Sequence, residues 1–170
     1  AAKEMGVKVS NAAGYSTQAV AEIALCMMLS LLRNIPQVEE RCREGKTKDG
    51  LVGCELRGKT VGIVGAGAIG CRTAELCHAF GCKVLGYKRH VKGDEPSFIE
   101  FVSLDELLSR SDIVSLHCPI NEDSKHLVNA QTISKMKKGA YLINTARGPV
   151  VDSQALADAL NNGYLSGAGI

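Results

Sequence analysis

The run Thr60-Val61-Gly62-Ile63-Val64-Gly65-Ala66-Gly67-Ala68-Ile69-Gly70 constrains the fold of this chain more than any other segment. An apolar stretch breaks there into glycines at 65, 67 and 70, the spacing Gly-x-Gly-x-x-Gly. The pattern predicts a strand that ends in a tight turn at Gly65 and a helix that starts beneath a diphosphate. Gly67 lets the backbone approach the phosphates without an intervening Cβ, and Gly70 lets the helix pack close to the strand. The helix N-terminus then offers unpaired N–H groups and the positive end of its dipole to the anion. Glycine turns between strand and helix are common, so the spacing names a ligand only in the right setting.

The following residues supply that setting. From Cys71 to Phe80 the apolar positions Ala74, Leu76, Cys77 and Phe80 alternate with Arg72, Glu75 and His78 at helical spacing. Gly81 is placed to end that helix as a C′ residue. Lys83-Val84-Leu85-Gly86-Tyr87 reads as a second strand. Strand, glycine turn, helix and strand together fill the ~30 residues of a βαβ unit, whose right-handed crossover makes the strands parallel.

Composition removes other classes. A net charge of +2 and 4% aromatic residues provide neither the basic field nor the stacking platforms of a nucleic-acid binder. The seven cysteines, at 26, 42, 54, 71, 77, 82 and 118, form no Cys-x-x-Cys pair and no His/Cys metal cluster. They read as reduced small hydrophobes of a cytoplasmic protein, with no metal site. Residues 1–14 lack the apolar core of a signal peptide. The most apolar stretch, Ala19 to Leu32, is about 14 residues long, short of the ~20 that span a bilayer. It is either a core helix or a helix apolar on more than one side because a second subunit covers it.

Elsewhere, Val7 to Ser10 reads as a strand end, and Ser16 or Thr17 as the cap of the long helix. Pro36 interrupts that helix; Gln37 to Arg43 resumes as a polar one ended by Gly45. His90 to Glu100 reads as loop. Ser103-Leu104-Asp105-Glu106 has capping-box spacing ahead of a short helix. Ile113 to Leu116 and Gly139 to Asn144 read as the third and fourth strands, and Leu165 to Ile170 opens another. Asn129 caps a helix over Ala130 to Met136, and Asp152 caps one over Gln154 to Leu160, ended by Gly163. Strands alternating with helices predict an α/β, doubly wound parallel sheet of the Rossmann type.

Ligands of such sheets lie beyond the carboxyl ends of the strands. At the end of the second strand, where an acidic residue usually receives the adenosine ribose, stand Lys88, Arg89 and His90. These cations would attract a 2′-phosphate, which favours NADP slightly over NAD, or they are simply solvated loop residues. At the fourth strand end, Arg147 lies between small neighbours Ala146 and Gly148. There a guanidinium can hold a carboxylate through two parallel hydrogen bonds or polarise a carbonyl, unless it serves as a salt bridge at a domain edge. His117, beside a proline turn, reads as structural, and His78 and His126 as surface or loop residues.

Taken together, these segments resemble the D-isomer-specific 2-hydroxyacid dehydrogenases along essentially the whole chain. The resemblance rests on Val9 to Leu25, Gly58 to Gly70, Leu116 to Pro119 and Met136 to Leu160, above all on Asn144-Thr145-Ala146-Arg147-Gly148-Pro149-Val150-Val151-Asp152. It implies hydride transfer between NAD(P)H and a 2-oxo or D-2-hydroxy acid. By position it implies that Ala68 and Ile69 join the glycines at the diphosphate, and that Cys118 and Pro119 line the adenine side, with Ser124 assisting. It implies Thr145 and Ala146 at the nicotinamide ribose, and Arg147 as the catalytic arginine that orients the substrate carboxylate. Lys88 departs from the family's ribose-binding Asp.

The resemblance also implies that residues 1–15 are the end of a substrate domain and its crossover. Residues 16–170 are then the dinucleotide-binding domain, incomplete at its C-terminus, with the helix of residues 17–33 as a homodimer surface. The family's Glu and its proton-delivering His fall beyond Ile170, so these residues alone are expected to bind cofactor weakly and to turn over nothing. An NAD(H)-sensing dimeric scaffold of the corepressor type is the alternative from another class, and a hydrolase that uses NAD transiently is a weaker one.

Overall fold

A computed structural model of the chain describes residues 2–91, 93 and 95–170. Residues 60–64 form β1 (Thr60–Val64) and the glycine turn leads into α3 (Ala68–Ala79), preceded in the chain by α1 (Thr17–Leu32) and α2 (Ile35–Arg43). β2 (Lys83–Tyr87), β3 (Ile99–Phe101), α4 (Leu104–Arg110), β4 (Ile113–Leu116) and α5 (Ala130–Ile133) follow. The chain then runs through β5 (Tyr141–Asn144), a 3₁₀ turn (Gly148–Val150), α6 (Ser153–Asn161) and β6 (Gly167–Gly169). The strands form one six-stranded sheet in the order β3-β2-β1-β4-β5-β6. Every pairing is parallel.

Both faces of the sheet are covered, and the strands alternate accordingly. Val61, Ile63, Ile113 and Ile143 point to one face, where they pack with Ala24, Met28 and Leu32 of α1 and with Ala74 and Cys77 of α3. Val64, Val114, Leu116 and Leu142 point to the other, against Leu107 and Leu108 of α4, Ile133 of α5, and Leu156 and Ala159 of α6. β2 and β4 flank β1, so the strand order reverses between β1 and β4 and the switch point lies there. Register levels the strand ends: Val64 stands opposite Tyr87 and Leu116, and Leu116 opposite Asn144. The residues that follow these four therefore emerge along a single edge.

Several local readings need correction. Val7 to Ser10 is not a strand; no sheet neighbour pairs with it, and Val7 and Val9 are exposed. β3 lies partly inside the stretch read as the loop His90 to Glu100, two residues of which (92 and 94) fall outside the described ones. A strand of this length carries too little periodicity to register in sequence. The helix at Ala130 stops at Ile133 rather than Met136, and β5 starts at Tyr141, after Gly139 at φ 84. The last strand is confined to Gly167–Gly169, and the nucleotide-fold helix starts at Ala68, directly after Gly67.

The caps are mixed. Ser16 holds the N-cap position of α1 but its side chain makes no capping bond. Ser103 accepts from the Glu106 N–H, whereas Glu106 turns its carboxylate to Arg110, so only half of that capping box forms. The complete box is at Asn129 and Thr132. Asp152 caps α6 by accepting from the N–H groups of Gln154 and Ala155. Pro36 sits in the first turn of α2, where its missing N–H costs nothing. No single described helix is long and apolar enough to cross a membrane; α1 and α2 meet that composition only together, across a 65° bend.

Candidate functional site: a nucleotide cleft at the sheet's carboxyl edge

β1 ends in Gly65 at φ 95, with the Gly65 N–H bonded to the Tyr87 carbonyl at 2.8 Å. The Gly67 N–H closes the turn onto the Gly65 carbonyl, also at 2.8 Å. A Cβ on Gly65 would stand 2.6 Å from the Cys118 nitrogen, and one on Gly70 2.3 Å from the Gly65 carbonyl oxygen. Both glycines are therefore required by the packing of the turn itself. Gly67 is different: a Cβ there would meet nothing within 4 Å. It faces open space directly before α3, whose N-cap carries no side-chain capping bond. The first-turn N–H groups of Ala68, Ile69 and Gly70 have no intrahelical acceptor. A diphosphate fits this cradle, which pairs unfilled donors with room for close approach.

Beside the turn is a cleft of about 520 Å³, walled by Val64 to Gly67, Tyr87 to His90, His117 to Pro119, Asn121, Asp123, Ser124 and Leu127. Gly65, Gly67, Lys88, Arg89, Cys118, Pro119 and Ser124 of the expected site thus come together. Ser124 is buried and its hydroxyl is committed: it accepts from the Asn121 N–H at 2.8 Å and donates to the Pro119 carbonyl at 2.7 Å. It shapes the wall. Burial pushes the Cys118 thiol up, so it presents a neutral, apolar surface.

The basic residues at the end of β2 are engaged. Lys88 forms an ion pair with Glu95 and Arg89 one with Asp123. His90 lines the cleft. Sequence reading missed both carboxylates, because Glu95 and Asp123 reach the cations from loops whose paths no local pattern encodes.

Thr145, Ala146 and Arg147 line a second groove, of about 480 Å³, with Val20, Ile23 and Met27 of α1, Asn144, Gly148 and Ile170. It lies on the same sheet edge as the first cleft, with only β4 between the strands concerned, a separation of roughly 10 Å. The glycine turn and Arg147 thus share an edge but not one cavity. Asn144, read in sequence as the strand end that opens the signature, holds the turn open. Its side chain accepts from the Ala146 N–H at 3.1 Å and donates to the Arg147 carbonyl at 3.0 Å. The Arg147 guanidinium is exposed and donates to the Ala146 carbonyl at 2.8 Å; among the described residues no carboxylate pairs with it.

His117 joins the two cavities. Its Nε2 is 2.9 Å from the Ser115 hydroxyl and its Nδ1 is 3.5 Å from that of Thr145. Burial lowers its pKa to about 4, so the ring is neutral near pH 7 and acts as a fixed hydrogen-bonding spacer. This agrees with a structural His117. Among the described residues no His, Cys, Asp and Glu group is arranged to hold a metal.

Comparison with known proteins accords with this geometry. The chain is 44% identical over 167 residues to the D-lactate dehydrogenase of Curvularia clavata, covering 98% of this chain and 48% of that one. It superposes on a D-2-hydroxyisocaproate dehydrogenase structure with a TM-score of 0.93 at 37% identity, covering 98% of this chain and 51% of the other. A D-lactate dehydrogenase with NAD+ from Lactobacillus jensenii gives 0.89 at 32% identity, over 98% and 51%. The chain spans about half the length of the curated relatives it matches. These relatives are dehydrogenases, which gives the corepressor alternative no support. The model of the D-isomer specific 2-hydroxyacid dehydrogenase NAD-binding domain matches residues 25–170, and the chain belongs to that family.

Proposed function

We propose that this chain is the cofactor-binding part of an NAD(P)-dependent oxidoreductase that interconverts a 2-oxo acid and the D-2-hydroxy acid. The observation that carries this reading is the level edge on which the open Gly67 cradle and Arg147, with no carboxylate partner among the described residues, both stand. Residues 16–170 are read as the dinucleotide domain and residues 1–15 as the approach from a substrate domain.

The glycine turn and the first N–H groups of α3 hold the diphosphate, and Cys118 and Pro119 form the apolar wall of the adenine side. Thr145 and Ala146 border the nicotinamide ribose. When bound, the dinucleotide supplies or accepts the hydride at its nicotinamide ring. Arg147 orients the substrate carboxylate and stabilises charge that develops on the carbonyl oxygen. NAD is the basic cofactor, and Lys88 and Arg89 tilt the site toward NADP relative to one with an acidic residue at position 88. The relatives named above act on lactate and hydroxyisocaproate, which share the 2-oxo or 2-hydroxy acid group and differ in side chain. That common group is the part Arg147 would read.

α1 buries Ala21, Ala24, Met28 and Leu32 inward, while Ala19 and Cys26, outside the Arg147 groove, remain exposed. We read this second apolar side as the surface for another copy of the chain.

The test is NADH consumption by the whole enzyme with a panel of 2-oxo acids, with the product resolved by chirality. Consumption with formation of the D acid is expected; no consumption with any of them contradicts the reading. Among the described residues the groove at Arg147 is lined by no carboxylate or imidazole side chain. Hydride delivery to a carbonyl also needs a proton donor. The 170-residue chain by itself is therefore expected to give a calorimetric signal with nucleotide and no turnover, and oxo-acid reduction by it would contradict this.

A further inference from the structure

The two ion pairs at the end of β2 differ in kind. Arg89 and Asp123 meet across the cleft mouth with side chains 53% and 70% exposed, so solvent screens the pair and an incoming anion displaces it easily. Lys88 and Glu95 are 19% and 5% exposed. Glu95 is further fixed by accepting from the Gly93 N–H at 2.8 Å. The Lys88 ammonium also donates to the Ala66 carbonyl of the glycine turn at 3.4 Å and lies 5.9 Å from the centre of the Phe101 ring.

Lys88 therefore ties the glycine turn to the loop ahead of β3. An ammonium has three donors. With one on Glu95 and one on Ala66, a third remains for the cleft that Lys88 lines. The Lys88 ammonium thus offers the cleft a donor whose charge the Glu95 carboxylate offsets. A ribose hydroxyl needs only the donor, whereas a 2′-phosphate dianion also needs uncompensated positive charge.

We propose that Glu95 is a positioning residue that sets selectivity at the adenosine 2′ position, by holding Lys88 in a neutral, shielded pair beside the glycine turn. This rests on the cleft being the adenosine site. Glu95 acts through Lys88 and does not itself line the cleft.

The test compares dissociation constants for NAD+ and NADP+ by calorimetry in the wild-type protein, Glu95→Gln, and Glu95→Gln combined with Lys88→Met. In Glu95→Gln the affinity for NADP+ rises about tenfold, the scale of one charge-assisted contact, while that for NAD+ stays within about twofold. In the double variant the gain is lost. Asp123→Asn, which acts on the screened pair, moves the ratio by less than about threefold. An unchanged NADP+/NAD+ ratio in Glu95→Gln overturns the proposal. So does a gain that survives removal of Lys88, since the carboxylate would then act by direct repulsion. If neither nucleotide binds the wild-type protein, the cleft reading itself fails, and that result is visible before any variant is made.

Discussion

Replacing Arg147 with alanine in the whole enzyme is expected to lower kcat/KM by about 10²–10³, the scale for removing one preorganised donor from developing negative charge. The structure places the guanidinium on a strand end that Asn144 holds from both sides and leaves it with no ion-pair partner among the described residues. Its position is thus set by the backbone, and its charge is available to a substrate carboxylate. Arg147→Lys should recover only part of the loss, because an ammonium cannot present two parallel N–H groups. Folding should not change, since Arg147 is exposed. Steady-state kinetics with unfolding controls checks this; an unchanged kcat/KM removes Arg147 from the mechanism.

Gly65→Ala is the second large effect, and it acts on stability. Gly65 has φ 95, a region costly to a residue with a Cβ, and its added Cβ would stand 2.6 Å and 2.8 Å from backbone atoms of Cys118. Backbone cannot yield as a flexible side chain can. Left-handed strain and overpacking together predict a loss of about 2–5 kcal/mol in denaturant unfolding. Nucleotide affinity falls with it, because the turn and the start of α3 move. Stability within about 0.5 kcal/mol of wild type would show that the turn relaxes, and that Gly65 is not what sets it.

How much of this is legible in the residues alone varies with the range of the interaction. The β1–turn–α3–β2 unit is local: apolar run, glycine spacing, helical face and Gly81 lie within one stretch, and the structure reproduces them. The strand ends at His117 and Thr145 are likewise readable from apolar runs, and the parallel order places them on one edge. Val7 to Ser10 misleads because alternating valines suggest a strand, while a strand exists only where a neighbour completes its hydrogen bonds. β3 is too short to show a period. The engagement of Lys88 and Arg89 is invisible for a different reason. Sequence shows three successive basic residues, but the effective charge of Lys88 and Arg89 depends on Glu95 and Asp123, brought in by loop geometry. Asn144 is similar: its amide's two bonds to the following turn become evident only when the chain doubles back.

The central claim is that a dinucleotide diphosphate rests on the main chain at Gly67 and the first turn of α3. Gly67→Ala tests it most directly, because the added Cβ meets no protein atom within 4 Å and φ at this position is −89. Calorimetric titration with NAD+, paired with urea unfolding, should give stability within about 1 kcal/mol of wild type and affinity reduced at least about tenfold. Equal affinity in the folded variant would mean that no phosphate approaches Gly67, and would contradict the account.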